Sequence, residues 1–155
     1  MPISVTTAMP TSFKVEILRA LQDFTASTGN TFKLALLKAT ASGSGTFGAA
    51  TTNYSNLSTD ELSNGNGYST GGNTLTSVTP TSDGTTAVCD FDNTTWSGAT
   101  FTTCGGLIYN SSTTGGTSGR ACAVLSFGGD QSVSSGDFQI QFPSPAASTA
   151  IIRIA

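Results

Sequence analysis

Apolar residues follow two different periods along this chain, and the change of period separates a short helical piece near the N-terminus from a long β region. Residues 1–10 mix apolar and hydroxyl side chains and end at Pro10, a sequence that reads as an extended arm. From there Phe13, Ile17, Leu21 and Phe24 recur at helical spacing, with Leu18 beside them and Lys14, Arg19, Gln22 and Asp23 elsewhere on the surface. That pattern predicts an amphipathic helix over residues 11–25. Thr11 or Ser12 is placed to cap its start, and Gly29 or Asn30 to end the turn after it. TFKLALLKA, residues 31–39, is a short apolar run between turn residues and predicts a strand.

Beyond residue 73 the period becomes two. Strands are predicted at Thr74 to Thr79, Thr85 to Phe91, Ala99 to Asn110, Ala121 to Phe127, Asp137 to Phe142 and Thr149 to Ile154. Phe138, Ile140 and Phe142 share one face against Gln139 and Gln141, and Ala150, Ile152 and Ile154 oppose Ile151 and Arg153. Ala87, Cys89 and Phe91 fall on one side of their run, which makes Cys89 a small buried apolar group rather than a reactive thiol. Gly105 and Gly106 interrupt another run and mark a bulge or a close approach of backbones. SSTTGGTSGR and FGGDQSVSSGDF supply turn residues. The whole predicts one domain, residues 1–155, mainly β, with strands spaced to suit a sandwich or barrel and one N-terminal amphipathic helix.

Residues 40–73 break both periods. Gly, Ser, Thr and Asn dominate, with aromatic points at Phe47, Tyr54 and Tyr68. A structureless loop of that length is uncommon inside a domain, so the segment either holds short irregular strands or projects as a contact surface.

Composition narrows the function. The chain has 155 residues, of which Ser (21), Thr (27) and Gly (18) make up a large share, while charged residues are only 10% against about 25% in an average domain. Six basic and nine acidic residues are scattered, and the net charge of −3 offers no basic field for a phosphate backbone. Nucleic acid is therefore not an expected partner. Neither is a membrane, because no window approaches the length of an apolar span and the first residues lack the pattern of a cleaved export signal. Leu, Ile, Val and Phe total only 32 residues, which predicts a thin core that gains part of its stability from neighbouring subunits.

Histidine is absent, which removes the usual general base and the commonest nitrogen ligand for metals. Cys89, Cys104 and Cys122 are far apart, with no C-x-x-C pair, and encode neither a zinc site nor a disulfide scaffold. Asp90 and Asp92 do not complete a calcium loop and read as solvated edge or turn residues. Asp60 and Glu61 sit in the polar segment, and Asp130 and Asp137 flank a turn. Arg120 after Gly119 leads into an apolar strand, unlike a phosphate loop, and no serine stands in a nucleophile elbow. Trp96, Phe101 and Tyr109 read as core aromatics. The expectation is a protein without catalytic residues, metal or cofactor.

The order of TSFKVEILRALQDF, NTFKLALLKA, GTFGAATTNYSN, GYSTGGNTL, ATFTTCGGLIYN, AVLSFGGDQSVSSGDFQIQFP and the closing AIIRI resembles small virion structural proteins of tailed bacteriophages. It is similar in particular to capsid cement or decoration proteins of the short-tailed-phage type, which have a jelly-roll-like fold. The resemblance implies a non-enzymatic protein assembled in the host cytoplasm and bound to the outer capsid surface. Its implied partners are the major capsid protein and further copies of itself as a dimer or trimer. On this reading the arm and residues 40–73 are contact surfaces, with Phe47, Tyr54 and Tyr68 as interface anchors. The alternative for these aromatics is that they fold back on their own core. The alternative function is a tail, neck or fibre-associated protein that recognises a host-surface glycan.

Overall fold

The computed structural model describes residues 1–155 and is mainly β, with a sandwich-like arrangement of sheets and one α-helix. In chain order its elements are β1 (Ser4–Val5), α1 (Thr11–Leu18), β2 (Phe32–Leu36), β3 (Thr46–Phe47), β4 (Asn73–Leu75), β5 (Ser77–Asp83), β6 (Thr86–Phe91), β7 (Thr94–Asn110), β8 (Arg120–Ile140) and β9 (Ile152–Ile154). Two 3-10 segments, Thr40–Ser42 and Tyr54–Asp60, lie in the polar stretch. No helix is long and apolar enough to cross a membrane.

The central sheet has the order β4-β2-β7-β8 and the second sheet β5-β6-β9, all antiparallel, while β1 and β3 form a small parallel pair. The central sheet is apolar on both faces because β2 is apolar at nearly every position. Phe32, Leu34 and Leu36 point into one core with Phe13, Phe24, Phe91, Ile108 and Ile152. Ala35 and Leu37 enter a second core with Ile3, Phe47, Leu57, Leu107 and Tyr109. Alternation sends successive side chains to opposite faces, so a run with apolar residues on both demands a cover on each. The β5-β6-β9 sheet and α1 supply one cover. The arm and the polar segment supply the other.

The helix is shorter than its apolar repeat implied, ending at Leu18 instead of residue 25. Its C-terminus closes as a Schellman motif: Leu21 N–H donates to Glu16 C=O at 3.0 Å and Ala20 N–H to Ile17 C=O at 3.1 Å, with Ala20 at φ 54°. Phe24 still reaches the core, but from the irregular chain beyond, and Leu18 is left 88% exposed. Neither Thr11 nor Ser12 caps the start. Pro10 precedes the first turn without a side-chain bond, and Thr11 N–H is taken by Ala49 C=O at 2.9 Å.

β8 also departs from expectation. FGGDQSVSSGDF does not reverse the chain but is carried within one strand that pairs with β7 over most of its length. Thr103 faces Gln131 while Gly105 faces Ser126, so Phe127 to Asp130 swell out opposite Cys104 alone. The turn-forming glycines are used there as a bulge, with Gly128 at φ 76° and Gly129 at φ 146°. Gly105 and Gly106 do mark a close approach: a Cβ on Gly105 would lie 2.5 Å from Leu125 O.

β6 does not alternate cleanly. Val88, Cys89, Asp90 and Phe91 are all buried and Ala87 is exposed, since β6 is the middle strand of its sheet. Cys89 is buried as expected. Phe138, Ile140 and Phe142 pack half-buried against the first core, and Ile154 of the last strand stays 54% exposed.

Candidate functional site

The residues singled out as interface anchors turn inward, Phe47 and Tyr54 to the second core and Tyr68 to the first. Phe47 is 3% and Tyr68 2% exposed, and Tyr54 is half-buried with its ring stacked 4.5 Å from that of Tyr109. The structure therefore corrects their placement on an outer contact surface: they fold back on their own core. The arm is likewise docked. Ile3 is buried, β1 pairs with β3, and Ala8 bridges to Val124.

Glu61 joins the two tyrosines. The 3-10 segment Tyr54–Asp60 starts from an Asn53–Asn56 capping box and delivers Asp60 and Glu61 alongside the end of β2, where Leu37 bridges to Glu61. Lys38 N–H donates to Asp60 C=O at 2.9 Å and Leu62 N–H to Leu36 C=O at 2.8 Å. Held there, the Glu61 carboxylate is buried and accepts from Tyr68 Oη at 2.7 Å, Gly71 N at 2.6 Å and Tyr54 Oη at 2.5 Å. Tyr109 Oη closes the ring by donating to Gly71 O at 2.8 Å, and Tyr68 Oη accepts from Leu36 N at 3.1 Å. A carboxylate taken out of water needs such donors. Gly72 lets the chain pass this close, because a Cβ there would lie 1.8 Å from Leu34 O.

Burial, and after it the hydrogen bond to the Glu61 carboxylate, push the Tyr54 and Tyr68 hydroxyls well above their ordinary value of 10.0. Burial also moves Tyr109 up to about 12. These hydroxyls stay protonated and donating across the whole neutral range. Asp60 repeats the device, accepting from Ser44 N at 3.1 Å and Gly45 N at 2.8 Å.

A second cluster fastens α1 to the turn before β8. Glu16 and Arg120 form an ion pair at 2.9 Å with both side chains largely covered. Gln22 donates to the other Glu16 oxygen at 2.7 Å, and the guanidinium reaches Thr114 O at 2.8 Å. Asn110 Nδ2 links Gln22 and Asn30 at 2.9 and 2.8 Å. The pairing joins residues remote in sequence, and its one local signal is that Glu16 sits three residues after Phe13, on the inward side of the helix.

Asp90 is a correction. It is fully buried, not solvated; Oδ1 accepts from Phe91 N at 2.9 Å and Oδ2 has no partner. Burial raises its pKa above the ordinary 3.8. Asp92 is exposed as expected. Asp130 accepts from Thr40 N and Oγ1, both at 2.7 Å, so the bulge is tied to the first 3-10 segment. All three cysteines are free and buried, and burial pushes the Cys89 thiol up to about 12, away from the thiolate a nucleophile requires.

In chemical terms these clusters hold chain segments together. The Glu61 carboxylate is occupied by three donors, and no three His, Cys, Asp or Glu side chains converge as a metal site. Set against protein-family models, curated proteins and solved structures, the chain matches none.

Proposed function

We propose that this chain is a non-enzymatic virion structural protein that binds the outer surface of a phage capsid through the major capsid protein and stabilises the shell. The observation that carries the reading is the use of the buried ionisable groups: Glu61, Asp60 and the Glu16–Arg120 pair each fasten one stretch of chain to another. The polar, hydroxyl-rich sequence is thereby built into a stiff slab, the property a protein needs if it works by covering junctions between subunits. The order of sequence motifs that resembles phage cement proteins supports the same reading. Bound to an assembled shell but not to free subunits, such a protein opposes subunit loss by mass action, through modest contacts repeated over a symmetric lattice.

Cryo-microscopy of intact particles tests this. Density for the chain at many equivalent positions on the capsid faces is the expected result. Density at one vertex alone overturns the proposal and assigns the protein to the tail, neck or fibre.

A further inference from the structure

The exposed apolar side chains of the molecule are concentrated around α1 and β9. Leu18 (88% exposed), Ile154 (54%) and Val15 (50%) lie there, and Met1 is the one other large apolar residue so open. Between the two elements runs a cleft of about 380 Å³ lined by Met9, Ile17, Leu18, Ile152 and Ile154. At Met9 it adjoins a second, mostly apolar groove of about 310 Å³ that follows residues 149–151. β9 is the end strand of its sheet, paired with β6 along one edge and with no strand along the other.

Charge around this cleft is one-sided. Lys14 and Arg153 line it and no carboxylate side chain lines either groove. The chain's one ion pair is Glu16–Arg120, so neither Lys14 nor Arg153 has an acidic partner; Arg153 bonds only to Ala147 O, at 3.1 Å. Five of the chain's six cations lack an ion pair, and two of the five, Lys14 and Arg153, lie beside this apolar cleft and the open strand edge.

We propose that this cleft is the docking site for an extended, acidic-apolar segment of the capsid subunit. The segment adds to the open edge of β9, sets apolar side chains between Leu18 and Ile154, and brings a carboxylate to Lys14 or Arg153. The inference rests on the capsid-binding reading above and gives it a surface and a partner chemistry. A second copy of this chain fits less well, because grooves related by a two-fold axis bring Lys14 and Arg153 against their own counterparts, a like-charge juxtaposition that costs binding energy. A lipid surface fits less well too, since a flat interface neither fills a cleft nor satisfies a strand edge.

The test uses shells assembled from the major capsid protein without this chain. Leu18→Asp and the double variant Lys14→Glu/Arg153→Glu change exposed positions, and retention of the wild-type unfolding midpoint shows that each is folded. The wild type is expected to co-sediment with shells, more weakly as salt rises, and both variants to lose about tenfold or more in affinity, the scale of removing an interface anchor. Wild-type binding that both variants retain overturns the docking site and leaves the capsid reading standing. A wild type that does not bind shells overturns both. Two further results overturn the proposal by naming another occupant: a wild-type dimer in sedimentation velocity that Leu18→Asp converts to monomer, or binding to anionic phospholipid vesicles that the double charge variant abolishes.

Discussion

The two faces of the β4-β2-β7-β8 sheet are closed by different means. On one, Phe24 stacks on Phe32 at 4.2 Å, Phe91 packs 5.7 Å from Phe32, and the β5-β6-β9 sheet lies over them. On the other, the cover is the N-terminal arm and a polar stretch, which insert few large apolar groups, Ile3 from the arm and Phe47 and Leu57 from the stretch, and the stretch is held by side-chain acids bonded to backbone and tyrosine donors. The first cover is secured by area removed from water. The second is secured at points, each a carboxylate that cannot lose its donors without leaving a buried charge or buried donors unpaired. A polar sequence can therefore seal a hydrophobic face, provided a few apolar residues land correctly and the backbone is satisfied by side chains.

The difference is open to mutation. Phe32→Ala removes a fully buried ring from the aromatic side and is expected to cost about 3–5 kcal/mol, read as a loss of global stability in urea. Glu61→Ala strands the donors of Tyr54, Tyr68 and Gly71; a loss of about 3 kcal/mol is expected, with hydrogen exchange rising first in residues 40–73 while β5, β6 and β9 stay protected. Equal loosening of both sheets would show that the covers are one cooperative unit. Tyr54→Phe removes a single donor from the same carboxylate and should cost about 1 kcal/mol in the same urea measurement.

The smallest effect concerns the single buried carboxylate of the β5-β6-β9 sheet, which covers the aromatic side. Because the native pKa of Asp90 is raised, its proton is held more tightly in the folded than in the unfolded chain. Stability from this group is therefore present at acid pH and lost as pH climbs from the ordinary 3.8 through the raised native value. Asp90→Asn should flatten that slope and leave the neutral-pH unfolding midpoint equal to or above that of the wild type. A marked fall at neutral pH would mean that the charge is supported by its surroundings.

Some of this was legible in the residues. Alternation at Phe138 and Ile140 located one side of a strand, which stops short of Phe142, and the Gly105-Gly106 pair located a backbone contact, because both signals are local. Phe13 and Ile17 located the start of the helix, but its stop is set by the reversal at Ala20, where an alanine occupies a left-handed position usually marked by glycine. The role of residues 40–73 was hidden for a different reason. Tyr54 and Tyr68 lie seven residues on either side of Glu61, a spacing that would align them only on a continuous helix, which this Gly- and Asn-rich segment is not, and they converge because β2 and the loop through Gly71 fix both ends. Asp90 read as polar because nothing adjacent reports that β6 is flanked by β5 and β9.

The pairing of Cys89 with Ile152 has a consequence for synthesis on the ribosome. β6 is translated some sixty residues before the strand that shields its flank, so a nascent chain that has not yet released β9 leaves the Ala87–Cys89 flank open to solvent. Premature termination anywhere after Phe91 and before Ile152 would therefore yield an oxidisable, adhesive fragment in place of a smaller working protein.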